Sequence, residues 1–252
     1  MELLDINNIL NRTEIEKKIA AILKNFSASK YDLLQKRGIY IYGAPGSGKT
    51  TFVLKLLEKL NYDVIKYDAG DIRNKNIIDT ITKDNMSDKN IVSLFYKKVK
   101  PIAILMDEID GMNNGDKGGI NSLIKLIRPK KTKKQKTEEI TYNPIICIGN
   151  YHIDKKIKEL MKVCEPIELK RPTDDQMSVI IEKSMPELES NLRLNMNSFL
   201  QGDLRKLASI YEIYRNQHSI LKNEIIQKIF KPKSQNENTK EITKNLLENP
   251  YS

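Results

Sequence analysis

Histidine and cysteine are nearly missing from this 252-residue chain: there are two of each, and Cys147 and Cys164 form no C-x-x-C pair. His152 and His218 add too few donors for a tetrahedral zinc site, and two lone thiols make no disulfide framework. No run of 18 apolar residues occurs, so a membrane-spanning helix is not expected. The opening "MELLDINNILNRTE" lacks the basic start and apolar core of a secretion signal. These absences lead to the expectation of a protein inside the cell, without a structural metal and without a membrane partner.

Positive charge is in excess. Forty-three Lys and Arg face 33 Asp and Glu, for a net charge of +10 and a pI of about 9.3, which fits an anionic partner. The Lys, Ile and Asn content also suits an AT-rich genome, such as that of a protist or a large DNA virus. With 39% hydrophobic and 30% charged residues, the chain can build a globular core.

The apolar pattern alternates between two periods. "IYIYG" (39–43), "YDVIKYD" (62–68), "PIAILMD" (101–107), "NPIICIGN" (143–150) and "EPIEL" (165–169) read as strands, mostly buried. Between them lie helical stripes: Phe52, Val53, Leu56, Leu57 and Leu60, then Ile120, Leu123, Ile124 and Ile127. Strand and helix in alternation predict an α/β fold with a parallel five-stranded sheet flanked by helices. From about 172 to 230 only helical periodicity remains, as at Leu204, Leu207, Ala208 and Tyr211. The expected organisation is an α/β domain over 1–170, a small all-α domain over 171–231, and a polar tail over 232–252. No internal repeat is visible.

"GAPGSGKT", 43–50, fits G-x-x-x-x-G-K-S/T with a strand before it and a helix after it. Gly43, Gly46 and Gly48 let the backbone curl so that its N–H groups point inward at phosphate oxygens, and Ala44, Pro45, Ser47 and Thr51 complete the expected ATP-binding loop. Lys49 would reach the β and γ phosphates, and the Thr50 hydroxyl would ligate Mg²⁺. The bland alternative is an ordinary glycine turn. "ILMDEIDGMNNGDKGG" (104–119) then ends an apolar strand in acids. Strand ends in a parallel sheet open onto the crevice that holds phosphates. Asp107 is therefore placed to hold Mg²⁺, and Glu108 to take a proton from an attacking water. Glu108 otherwise reads as a solvated acid. Asp110 is expected to bond within the following turn. Asn150, ending its strand, either orients the water or is a turn residue.

With these motifs in place, the chain resembles the AAA+ ATPases, and among them the large subunit of clamp loaders of the replication factor C group. The residues that carry the likeness are "GAPGSGKT", "DAGDIRNK" (68–75), "MDEIDGM" (106–112), "GDKGGI" (115–120), "PIICIGN" (144–150), "ELKRP" (168–172) and "GDLRKL" (202–207). The resemblance implies a Rossmann-like domain, a helical lid, and ATP- and Mg²⁺-dependent loading of a ring clamp onto primed DNA. It makes Asn150 the sensor at the fourth strand and Arg205 a second sensor for the γ-phosphate. Without it, Arg205 reads as an exposed helix cation. Small subunits of such loaders carry Ser-Arg-Cys before the fifth strand; here "MKVCEP" keeps Cys164 but puts Val163 in the arginine's place. The chain is thus expected to accept an arginine finger from a neighbour and to donate none.

The likeness further implies DNA contacts at Arg73, Lys75, Lys117, Gly119 and Ile120, where helix capping by Asp71 and Asp116 is the simpler reading. It also implies a clamp-gripping plug at Ile91, Val92, Phe95 and Tyr96, where a core helix is an equal alternative. "RPKKTKKQK" (128–136), an insertion relative to the family pattern, puts six cations in nine residues and reads as a solvated loop or a DNA contact. The expected partners are other loader subunits, a sliding clamp and primed double-stranded DNA, in the nucleus or at a viral replication site. The C-terminal collar of such subunits is not recognised. The alternatives are another AAA+ machine, such as a protein remodeller or branch-migration motor, and a nucleotide-dependent scaffold.

Overall fold

The computed structural model describes residues 6–29, 32–68, 100–114, 119–138, 140–151 and 155–216. Two helices come first, α1 (Ile6–Ile9) and α2 (Thr13–Ala28). Strand β1 (Gly38–Tyr42) follows, then α3 (Lys49–Lys59), β2 (Asp63–Tyr67) and β3 (Ile102–Met106). A 3₁₀ turn (Ile109–Asn114) precedes α4 (Gly119–Ile127) and the short α5 (Lys133–Lys136). Strand β4 (Ile145–Gly149), α6 (Lys155–Val163) and β5 (Cys164–Glu168) complete the α/β part, and α7 (Asp174–Ser184), α8 (Ser190–Leu200) and α9 (Leu204–Asn216) follow. No described helix is long and apolar enough to cross a membrane.

The five strands are all parallel and lie in the order β2-β3-β4-β1-β5. Tyr40 of β1 stands opposite Cys147 on one side and Pro166 on the other, so β1 is an interior strand, between β4 at the middle of the sheet and β5 at its edge. Side chains alternate across a strand, and both faces of this sheet are covered. Tyr40, Ile104, Met106, Ile145 and Cys147 pack one face against Leu123, Leu126 and Ile127 of α4 and Ile157 and Leu160 of α6. Ile39, Ile41, Ala103, Leu105, Ile146 and Ile148 pack the other against Ile19 and Leu23 of α2 and Phe52, Val53, Leu56 and Leu57 of α3. Burying each such side chain is worth about 1.5–3 kcal/mol, so the two layers hold the strand ends in register.

The expected parallel five-stranded sheet is present, with two local corrections. The 62–68 segment is not a buried strand: β2 is at the sheet's edge, and Ile65 and Lys66 are exposed. The 128–136 segment is not a plain loop either. Thr132 and Gln135 form a reciprocal capping box that starts α5, and Glu138 accepts hydrogen bonds from both Arg128 and Lys130. Lys130 is fully buried, and its backbone N–H donates to Leu33 O at 2.7 Å.

The described residues form two compact units. One comprises 6–172 with 203–205, and the other 173–202 with 206–216. The second unit is all-helical. Thr173 caps α7 through a capping box with Gln176. Met177, Ile180 and Ile181 of α7 are buried, as are Leu192, Met196 and Leu200 of α8. Asn197 ties the two helices together, donating to Asp174 O at 3.1 Å and to Ser178 Oγ at 3.0 Å.

Candidate active site

The first unit carries a cleft at the C-terminal ends of its strands. It measures about 170 Å³ and is lined by Pro45, Gly46 and Gly48 to Thr51 of the glycine loop and by Asp107, Glu108, Asp110, Gly149, Asn150 and Arg205. The loop leaves β1 and turns into α3 at Lys49. Its turn needs glycine at two positions: Gly46 and Gly48 have φ of +76° and +79°, in the left-handed region where a Cβ is strained. A side chain on Gly46 would also collide with the Asp203 carboxylate, because Leu204 N–H donates to Gly46 O at 2.8 Å. Gly48 caps α3, so the first N–H groups of that helix face the cleft unpaired within it.

Lys49 is buried and fixed by three acceptors. Its Nζ donates to Gly43 O (3.0 Å), Ala44 O (2.9 Å) and Asn150 Oδ1 (3.1 Å). Burial lowers its pKa, the charge of Asp110 opposes that, and the nearby Arg205 adds to it. A buried ammonium beside unpaired helix N–H groups is a strong attractor for a polyphosphate.

Thr50 and Asp107 come from α3 and the end of β3. The Thr50 hydroxyl donates to Asp107 Oδ2 at 2.9 Å, and Asp107 is 7% exposed. A hydroxyl and a carboxylate side by side are hard oxygen donors of the kind Mg²⁺ takes together with phosphate oxygens. The pair therefore fits that ion. Lys66 of β2 approaches the same carboxylate at 3.3 Å and reaches Asp68 at 3.0 Å. Glu108 follows with φ +52°, a left-handed conformation unusual for a residue with a side chain. That twist exposes Glu108 at the cleft while Ile109 turns into the core.

Asp110 does not bond within its own turn as expected. Its Oδ2 accepts from Asn150 Nδ2 at 2.8 Å, so Lys49, Asn150 and Asp110 form one connected row. Arg205, at the start of α9, is exposed and lines the cleft, with its N–H on Asp203 Oδ1 at 2.8 Å. Of the other positions singled out in the sequence, Gly119 and Ile120 open α4 and are buried. Ile120 is only 3% exposed and belongs to the core, so its side chain offers no surface to a phosphate. Val163 is the last residue of α6, directly before Cys164. Arg73, Lys75, Lys117, Ile91, Val92, Phe95 and Tyr96 lie outside the described residues.

Sequence reasoning missed Arg12. This buried guanidinium donates to Ser47 O of the glycine loop at 2.7 Å and to Lys170 O at 3.4 Å, and it lies over the Phe52 ring at 5.8 Å. Burial pulls its pKa down to about 10, so it remains charged near neutral pH. Nothing in "NNILNRTE" marks it, because its partners lie 35 and 158 residues away.

Residues 39–171 match the family described as "ATPase family associated with various cellular activities (AAA)". Replication factor C subunit 1 of Saccharomyces cerevisiae is 27% identical over 207 residues, which is 77% of this chain and 23% of that one. Its Homo sapiens counterpart is 31% identical, over 77% of this chain and 17% of that one. The replication factor C large subunit of Nanoarchaeum equitans is 27% identical, over 88% and 47%. The chain thus spans a quarter or less of the two subunit 1 relatives and about half of the archaeal one. Among solved structures, a RuvB variant of Thermotoga maritima superposes with a TM-score of 0.58 at 15% identity, covering 92% of this chain and 75% of that one. PCH-2 of Caenorhabditis elegans gives 0.55 at 14% identity, covering 86% and 65%. At these identities the structural likeness describes the fold alone.

Proposed function

The chain belongs to the AAA family of ATPases, and from that premise we propose that it hydrolyses ATP as one subunit of an assembly that loads a sliding clamp onto primed DNA. The observation that carries the ATPase reading is the convergence of Lys49, Thr50, Asp107, Glu108 and Asn150 at one cleft. The clamp-loading reading is supported by the relatives named replication factor C.

Each side chain has a task that its position suits. The 43–51 loop and the start of α3 bind and orient the polyphosphate, with Lys49 neutralising the β and γ oxygens. Thr50 and Asp107 would hold Mg²⁺, which would supply positive charge to offset that of the phosphates. Glu108 reaches from β3 to take the proton of the attacking water. Asn150 sets the water's direction, and Arg205 senses the γ-phosphate. Val163 gives no cation to a neighbour's site, so an arginine supplied by a neighbouring subunit completes this one. Such a finger is worth roughly 10³ to 10⁵ in rate. Other loader subunits, the clamp and primed duplex DNA are the proposed partners, and the proposed place is inside the cell, where DNA is replicated.

The test is ATP turnover by the purified chain over a wide concentration range, with binding measured in parallel. Tight binding with almost no turnover is the expected result. Lys49→Ala should abolish binding, and micromolar affinity in that variant overturns the site. Glu108→Gln should bind ATP and stall, whereas a near-normal rate removes Glu108 as the base. Brisk turnover that rises with self-assembly would instead mark a self-sufficient ring, such as a remodeller or branch-migration motor.

A further inference from the structure

Asp107 is the one buried acid among the described residues, and a buried carboxylate has to be paired. The Glu108 N–H donates to its Oδ1 at 3.1 Å. The Thr50 hydroxyl is nearer Oδ2, at 2.9 Å against 3.2 Å for Oδ1, and Lys66 Nζ meets it there at 3.3 Å. Lys66 is the one cation among the described residues that pairs with this carboxylate. The oxygen beside the Thr50 hydroxyl, where the two would hold Mg²⁺ together, is thus the oxygen that an ammonium already touches.

The sheet explains how Lys66 gets there. It stands opposite Leu105 in parallel register, and side chains alternate between the faces along each strand. Leu105 packs in the layer of α2 and α3, so Lys66 and Asp107 share the face on which α3 begins. β2 is an edge strand, and the Lys66 side chain is 40% exposed and outside the lining of the cleft. A four-carbon stem with three donors can hold two acceptors at once. The second acceptor is Asp68 Oδ1 at 3.0 Å, on a carboxylate more exposed than Asp107. Lys66 can therefore leave Asp107 and still keep a counter-charge.

We propose that Lys66 competes with the metal for Asp107 and withdraws to Asp68 as the metal arrives, so that the bare ion is held weakly and the metal–nucleotide complex firmly. The inference rests on the metal role proposed above for Thr50 and Asp107; its sign follows from charge. A divalent ion and an ammonium on one carboxylate repel each other. At about 5 Å in a water-like dielectric, that repulsion lowers the ion's affinity on the order of 10-fold. A metal carried on the phosphates of ATP comes in a complex of net negative charge, which the same ammonium attracts. Lys66 thus sets the order in which the site fills, with metal and nucleotide entering together.

The test has two readouts on the full chain. Bare Mn²⁺ binding is followed by the electron paramagnetic resonance of the free ion, and a fluorescent, non-hydrolysable ATP analogue is titrated at saturating Mn²⁺. Lys66→Met keeps most of the stem and removes the charge. It should bind bare Mn²⁺ on the order of 10-fold more tightly than wild type, and the Mn²⁺–analogue complex about 3-fold more weakly. Lys66→Arg, which restores the charge, should move both values back toward wild type. Asp68→Asn leaves Lys66 only Asp107 and should weaken bare Mn²⁺ binding, an effect that should shrink in the Lys66→Met background. Lys59→Gln, a loss of the same charge at the pair with Glu16, should change neither readout. Unchanged Mn²⁺ affinity in Lys66→Met overturns the proposal, as do two readouts that move in the same direction. Asp107→Asn separates the two levels. Mn²⁺ binding that survives it overturns the metal assignment and the role of Lys66 together, whereas binding that needs Asp107 and ignores Lys66 overturns the role of Lys66 alone.

Discussion

Asn150 is held from both ends: its carbonyl oxygen accepts from Lys49 and its amide nitrogen donates to Asp110. Asp110 is a positioning residue in this arrangement. Asp110→Ala should lower kcat about 10-fold, the effect of losing one hydrogen bond to a charged group, with little change in KM. Asp110→Asn can still accept from Asn150 and should recover most of the loss. Equal effects of the two variants would show that charge, and not the orientation of the amide, is what matters. Arg12 works at the same scale. Arg12→Ala should destabilise the protein by roughly 2 kcal/mol and weaken ATP binding through the freed Ser47 carbonyl. A denaturation curve coincident with wild type would contradict this. The meeting of Lys49, Thr50 and Asp107 was legible in the sequence, because a phosphate loop and a strand-end acid are local patterns. The partners of Asp110 and Arg12 were not, since they depend on contacts 40 and more than 100 residues away.

At the scale of elements, Glu138 decides whether the α5 arm is a folded piece or a loose one. Hydrogen bonds from Arg128, together with Lys130, hold its pKa below the ordinary carboxylate range. A carboxylate with a depressed pKa in the folded state adds stability that is present above its unfolded pKa and lost as pH falls through the folded one. Glu138→Gln should therefore cost about 2 kcal/mol near neutral pH, by leaving the Lys130 ammonium buried without its counter-charge. The gap between variant and wild type should close as the pH drops below about 4. A gap that stays constant with pH would mean the carboxylate does not act through its charge. The sequence showed six cations and no hint that two of them would turn inward. The nearest acid that could gather them, Glu138, stands two residues beyond the run. The edge position of β2 was equally hidden, because "VIKY" has the apolar content of an interior strand and only the sheet order exposes it.

For the whole molecule, the α/β organisation was readable because strand and helix periods alternate cleanly up to about residue 170. Strand order was not, because it is set by which crossovers bury both sheet faces. If the chain awaits an arginine from a neighbour, adding subunits that carry Ser-Arg-Cys before the fifth strand should raise kcat at least ~10³-fold while the affinity for ATP changes little. Turnover in steady-state assays with and without those subunits checks this, and an unchanged rate would place the missing cation within this chain.

The interior place of β1 sets a schedule for the chain's birth. β1 carries the glycine loop at its exit, yet it pairs with β4 and β5, which are made after β2 and β3. At about 5–20 residues per second, roughly 6–25 s of synthesis separate the loop's strand from its last partner. During that interval "IYIYG" is an apolar strand with two unpaired edges, exposed to chance pairing with other chains. A strand translated before all its neighbours in the sheet is thus among the last to be enclosed, and a ribosome that stops short of β5 releases a chain with every phosphate-binding residue of the loop and one side of their strand still open.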